Sequence, residues 1–180
     1  DAASPEHAIL ATNTSSLSIA DIASAAHDPQ KVIGTHFFNP VHIMKLLEIV
    51  HHKDTDESVI ASIQEFGQRI GKTSILVKNA PGFATSRLGV CLGMEAIRML
   101  EEGVASAEDI DTAMVLGYRH PIGPLKLTDL VGLDVRKAIG EYLAEKLNND
   151  AFKPPQLMKD MVEKGHLGQK SKKGFYDWSD

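Results

Sequence analysis

Asn39-Pro40 separates two apolar runs, and this break constrains the chain more than any other feature. The residue before a proline is pushed out of the helical region, and proline donates no hydrogen bond. Thr35 to Phe38 therefore cannot run on into Ile43 to Val50 as one regular element. The pattern predicts a strand ending near Phe38, a turn at Asn39-Pro40 and a second strand ending near Val50. The first run ends in His36 and two aromatics, and the second carries one carboxylate, Glu48. Laid side by side, the strands bring His36 and Glu48 together across the turn. A histidine oriented by a carboxylate is the usual general base at neutral pH. On spacing alone the plainer reading, a core histidine and a surface glutamate, is the stronger one.

The residues before this break extend the pattern. Ala8 to Thr12 is a short apolar run that predicts a buried strand. A small polar cluster, Asn13-Thr14-Ser15-Ser16-Leu17-Ser18, follows, and Ser18 is placed to cap a helix from Ile19 to Ala26. Strand, loop, helix and a further strand at Val32 make a βαβ unit, whose ligand site is expected at the C-terminal end of the first strand. Asn13 and Ser15 stand there, where ligand contact and helix capping are equally good readings. Downstream, Asp54 to Gly71 predicts an amphipathic helix capped by Asp54 or Thr55, and Ser74 to Val77 another strand. Lys78 to Gly82 is a break, and a domain boundary is expected there.

Beyond it no strand-like run follows. Phe83 to Glu102 predicts a long helix with Leu88, Cys91, Leu92, Ala96 and Met99 on its apolar face, and Gly89 and Gly93 spaced for close approach of another helix. Further helices are expected over Ser106 to Leu116, from Pro124, over Leu133 to Leu147, and from Pro154-Pro155 to Glu163. The tail ends in Gly174-Phe175-Tyr176-Asp177-Trp178, whose aromatics are expected to fasten it to the body.

The net charge of −5 and the lack of a basic run give no support to nucleic-acid binding. No stretch approaches the length of a membrane span. The opening, Asp1 to Glu6, carries no secretory pattern and reads as the middle of a domain. The lone cysteine, Cys91, fits a reducing compartment and is expected to be buried and inert. The eight histidines show no metal-ligand spacing, and no metal is expected.

Taken together, Asn13-Thr14-Ser15-Ser16-Leu17, His36-Phe37-Phe38-Asn39-Pro40, Met44-Lys45-Leu46-Leu47-Glu48, Pro81-Gly82-Phe83, Glu108-Asp109-Ile110-Asp111, Gly123-Pro124, Asp129 with Gly132-Leu133-Asp134, and Gly174-Phe175-Tyr176 resemble the L-3-hydroxyacyl-CoA dehydrogenase family, including its 3-hydroxybutyryl-CoA branch. The pieces occur in family order nearly end to end. The resemblance implies an α/β remnant of a Rossmann-type nucleotide-binding domain over 1–79. An all-α dimerisation and substrate domain, like the C-terminal domain of 6-phosphogluconate dehydrogenase, is implied over 80–180. It implies oxidation of an L-3-hydroxyacyl-CoA to the 3-ketoacyl-CoA with NAD, in a cytoplasmic homodimer. His36 matches the catalytic base and Glu48 its carboxylate. Ser15 matches the serine that contacts substrate near the reacting carbon, and Asn13 and Asn39 match positions at the nicotinamide end.

Two departures stand out. Where the family has an asparagine after Pro-Gly-Phe, this chain has Ser86, a shorter side chain that offers less to a thioester. No Gly-x-Gly-x-x-Gly loop occurs in these residues, so the expectation is a C-terminal portion that lacks the main cofactor cradle and has a parallel sheet with an exposed edge. A second reading follows: a truncated, inactive helical dimerisation or binding module. A third, a dehydrogenase of sugar acids, shares parts of the pattern, but the His36 and Met44 motifs resemble the acyl-CoA branch more.

Overall fold

The structure is a computed structural model and describes residues 4–179. The chain divides into two compact units, Asp1–Ala84 and Thr85–Asp180. The division falls after Ala84, a few residues beyond the break expected between 79 and 80.

In the first unit the Asn39-Pro40 break separates β2, Val32–Phe37, from β3, Leu46–His51. They pair antiparallel, with His36 directly opposite Glu48. β1, Leu10–Thr12, lies parallel to β2, and β4, Thr73–Lys78, lies parallel to β3. The strand order is β1-β2-β3-β4, so the sheet is mixed rather than parallel. The correction comes from the tight connection after Phe38, which returns the chain beside β2 without a crossover helix. Lys72 donates to the backbone carbonyls of Val41 and Met44 and fastens this connection to the end of α2, Glu57–Arg69.

Two layers of apolar side chains cover the sheet. On one face, α1, Ile19–Ser24, packs Ile19 and Ala23 against Val32, Val50 and Phe83. Gly34 makes this approach possible, since a Cβ there would lie 2.9 Å from Ile19 Cδ1. On the other face Val59 and Ile63 of α2 meet Ile33, Leu47 and Ile49. Each fully buried aliphatic side chain stabilises the fold by about 1.5–3 kcal/mol. Ser18 caps α1 as expected, accepting from the Asp21 N–H. The α2 cap differs: Asp56 occupies it without a side-chain bond, while Thr55 Oγ1 instead accepts from His52 N–H.

The second unit is helical: α3, Thr85–Glu101; α4, Ala107–Thr112; α5, Pro124–Val131; α6, Leu133–Leu147; and α7, Gln156–Glu163. A π-helical turn, Ala113–Gly117, ends the stretch expected to be one helix to Leu116. The buried face of α3 is Val90, Gly93, Met94, Ala96 and Ile97, and Leu88, expected inside, is 72% exposed. α3 is apolar on more than one side, so periodicity alone placed the stripe one step round. Gly89 and Gly93 admit not a helix backbone but the Arg136 side chain, which donates to the Gly89 carbonyl at 2.5 Å. Burial pushes this guanidinium down to about 10, so it remains charged at neutral pH. Cys91 is partly rather than fully buried.

Two buried carboxylates organise this unit. Asp111 accepts from the N–H groups of Leu125 and Lys126 at 2.8 Å each, which caps α5 from another helix because Gly123 has no side chain to do so. It also accepts from the Tyr176 hydroxyl at 2.9 Å. Burial, with this bond second, raises the Tyr176 phenol well above its usual range. Asp129 accepts from Phe175 N–H, Tyr176 N–H and Trp178 Nε1–H at 2.8–3.0 Å. The tail is thus fastened by its aromatics, as expected, but through their polar groups as much as their rings.

Candidate active site

The site grows from the β2–β3 register. Directly opposite residues of an antiparallel pair share one face of the sheet. His36 and Glu48 therefore stand together on the face that carries α1 and Phe83. Their separation follows: His36 Nδ1 lies 2.8 Å from Glu48 Oε2. Glu48 is fully buried and His36 is 6% exposed. The expected pair is formed, and the plainer reading fails for the glutamate, which is not at the surface.

The pair is held on several sides. Ala84 N–H donates to Glu48 Oε1 at 2.9 Å. The Phe38 ring lies 4.4 Å from the imidazole, and Phe83 meets it edge-on at 6.2 Å. With Nδ1–H donated to the carboxylate, the other ring nitrogen, Nε2, keeps its lone pair and can accept a proton. A buried carboxylate beside the ring then stabilises the imidazolium that forms.

Asn13, Ser15 and Asn39 surround the C-terminal ends of β1 and β2. Asn13 Oδ1 accepts from Phe37 N–H at 2.9 Å, which ties the end of β1 to β2 one residue from His36. Ser15 lies exposed in the loop between β1 and α1, where Thr14 Oγ1 accepts from Ser16 and Leu17 N–H. Asn39 follows β2 at a cis peptide bond to Pro40. The loop is braced from behind by Asn79, whose Oδ1 accepts from Ile19 N–H while Nδ2 donates to Ser18 Oγ. Ser86 lies in the first turn of α3 and belongs to the second unit. The Ala84 N–H and Asn79 were missed in the sequence. A backbone donor leaves no side-chain signal, and Asn79 reads there only as part of a loop.

Among the described residues no group of three or more histidines, cysteines or carboxylates is placed to hold a metal. No helix among them is long and apolar enough to cross a membrane.

Comparison with known proteins gives this geometry a family. Residues 1–80 match the 3-hydroxyacyl-CoA dehydrogenase NAD binding domain, and residues 82–178 match the 3-hydroxyacyl-CoA dehydrogenase C-terminal domain. A probable 3-hydroxybutyryl-CoA dehydrogenase of Bacillus subtilis is 43% identical over 176 residues, 98% of this chain and 61% of that protein. A 3-hydroxybutyryl-CoA dehydrogenase of Mycobacterium tuberculosis is 45% identical over 172 residues, 95% of this chain and 60% of that protein. The crystal structure of (S)-3-hydroxybutyryl-CoA dehydrogenase PaaH1 from Ralstonia eutropha superposes with a TM-score of 0.94 at 41% identity, covering 98% of this chain and 62% of that one. The chain belongs to the 3-hydroxyacyl-CoA dehydrogenase family. It carries a Rossmann-like part of the NAD-binding domain as well as the helical C-terminal domain, so the match is to both domains and not to the C-terminal one alone. It spans about three-fifths of the length of the relatives it matches.

Proposed function

We propose that this chain carries the catalytic base of an enzyme that oxidises L-3-hydroxyacyl-CoA to 3-ketoacyl-CoA with NAD, of the 3-hydroxybutyryl-CoA type. The observation that carries the reading is the buried His36–Glu48 pair at 2.8 Å. The named activities of relatives at 43–45% identity support it. In this reading the substrate 3-hydroxyl gives its proton to His36 Nε2. Glu48 stabilises the resulting imidazolium through the Nδ1–H bond it already accepts. Ser15 orients the substrate oxygen, a positioning effect. NAD, when bound, supplies the nicotinamide that takes the hydride. The polar groups at the C-terminal ends of β1 and β2, Asn13 and Asn39 among them, fit the nicotinamide end. Ser86, three residues after Phe83, is the proposed contact to the thioester.

We further propose that 1–79 form the C-terminal part of the nucleotide-binding domain and that 80–180 form the helical domain. In the same reading the helical domain pairs two copies, and the enzyme works in the cytoplasm. The assay is NADH oxidation with acetoacetyl-CoA, with His36→Gln as control. Turnover that vanishes in His36→Gln supports the reading. Turnover that survives the substitution overturns His36 as the base. A folded wild-type chain without turnover would mean that these 180 residues alone do not suffice for the reaction.

A further inference from the structure

The Pro81-Gly82-Phe83-Ala84 segment matched the family pattern, yet the mechanism above gives it nothing to do. Its backbone is unusual. Gly82 has φ 72° and Phe83 φ 51°, two consecutive residues in the left-handed region. Glycine holds that conformation freely, but a residue with a Cβ rarely does. Phe83 N–H closes the turn on the Ala80 carbonyl at 2.9 Å. The Phe83 ring is 3% exposed and packed with Ile19, Ala23, Val32 and Val50, so the core of the first unit fixes the turn.

Two things point from this turn at the dyad. The next N–H, that of Ala84, donates to Glu48 Oε1 at 2.9 Å. The Phe83 ring stands edge-on to the His36 imidazole. A carboxylate has two equivalent oxygens and turns about its last bond. A backbone donor on Oε1 leaves Oε2 facing His36 Nδ1 at 2.8 Å. We propose that the Pro81–Ala84 turn positions the base: its Ala84 N–H locks the Glu48 carboxylate, and through it the His36 tautomer and ring orientation. Glu48 is thereby gripped from the strand partner and from the turn. Ala84 is a positioning residue, because its N–H acts on His36 only through Glu48. The functional weight of this inference rests on the reading of His36 as the base.

The test follows the His36 Nδ1–H proton by NMR in the 180-residue chain. A hydrogen-bonded imidazole proton is expected in the wild type and absent from His36→Gln. Ala84→Pro removes the donor, whereas Ala84→Gly keeps it. Loss of one hydrogen bond to a charged group is expected to speed exchange of that proton with water about tenfold in Ala84→Pro, and Ala84→Gly should stay within about twofold of wild type. Equal exchange in wild type and Ala84→Pro overturns the proposal. Should Ala84→Pro lose its native amide spectrum, Gly82→Ala decides, since a Cβ at φ 72° disturbs the turn without removing a core side chain. Faster exchange there supports the proposal, and unchanged exchange overturns it.

Where a preparation turns over acetoacetyl-CoA, Ala84→Pro should lower kcat about tenfold and leave KM within about twofold. His36-dependent turnover with unchanged kcat in Ala84→Pro overturns the positioning role alone. Turnover indifferent to His36→Gln overturns the functional reading, while the proton exchange still decides whether the turn holds Glu48.

Discussion

Glu48→Gln keeps the shape of the buried side chain and removes its charge. It isolates the electrostatic part of the dyad from its packing. In a preparation that turns over, kcat is expected to fall by about 10²-fold, the lower range for acid–base assistance, with the fold intact by circular dichroism. Glu48→Ala differs in kind. It strips an acceptor from His36 and from the Ala84 N–H, and urea unfolding should show a loss of about 3 kcal/mol. The His36–Glu48 pair was visible in the sequence as the weaker reading on spacing alone, and the family resemblance is what favoured it. The third member was not visible there. The donor is a main-chain N–H at position 84, brought in by a turn whose handedness no side chain announces except Gly82.

At the scale of elements, the tail from Gly168 to Trp178 is held by α4, α5 and α6 as well as by its own bridges, Gly168 with Lys173 and Lys173 with Asp177. A Cβ on Gly174 would lie 2.1 Å from Asp129 Oδ1. Gly174→Ala must therefore displace the carboxylate that accepts three tail donors. Thermal unfolding should show a loss of about 2 kcal/mol, the cost of a buried donor left without its partner. Lys170 forms an ion pair with Asp134 at the start of α6. The Lys170 hydrogen bond holds the Asp134 carboxyl below its ordinary 3.8. The folded form then takes up this proton less readily than the unfolded chain. The stabilisation is present above 3.8 and is lost as pH falls through the lowered value. Urea unfolding of wild type and Asp134→Asn should differ at pH 7 and converge in strong acid. These roles could not be read in the sequence. Asp129 meets partners 46, 47 and 49 residues away, and nothing in its neighbourhood distinguishes it from a surface aspartate. The Leu133–Leu147 helix, by contrast, was legible to its ends, from Gly132 before it to Asn148 in the left-handed conformation after it.

For the whole molecule, the two units differ in how their backbones are secured. The first rests on a four-stranded sheet in which β1, three residues long, pairs only with β2 among the described residues. The second has a continuous apolar core from Val90 to Met158. Amide exchange should accordingly be faster over 1–79 than over the helices from 85 onward. Equal protection in both would contradict this expectation. The order of elements was readable because each break is marked by Pro, Gly or a polar cluster. The direction of β3 against β2 decides whether the sheet is mixed, and it depends on how a short loop returns.

The seat of the histidine and its carboxylate on neighbouring strands has a consequence for how such a protein can change. The gap between them is inherited from the spacing of the sheet, which backbone hydrogen bonds set and which side chains barely alter. The side chains of Val41, Ile43 and Met44 in the connecting loop lie at the surface. Substitutions at these loop positions can therefore reshape the surface while the His36–Glu48 separation holds, and with it the role proposed for the pair.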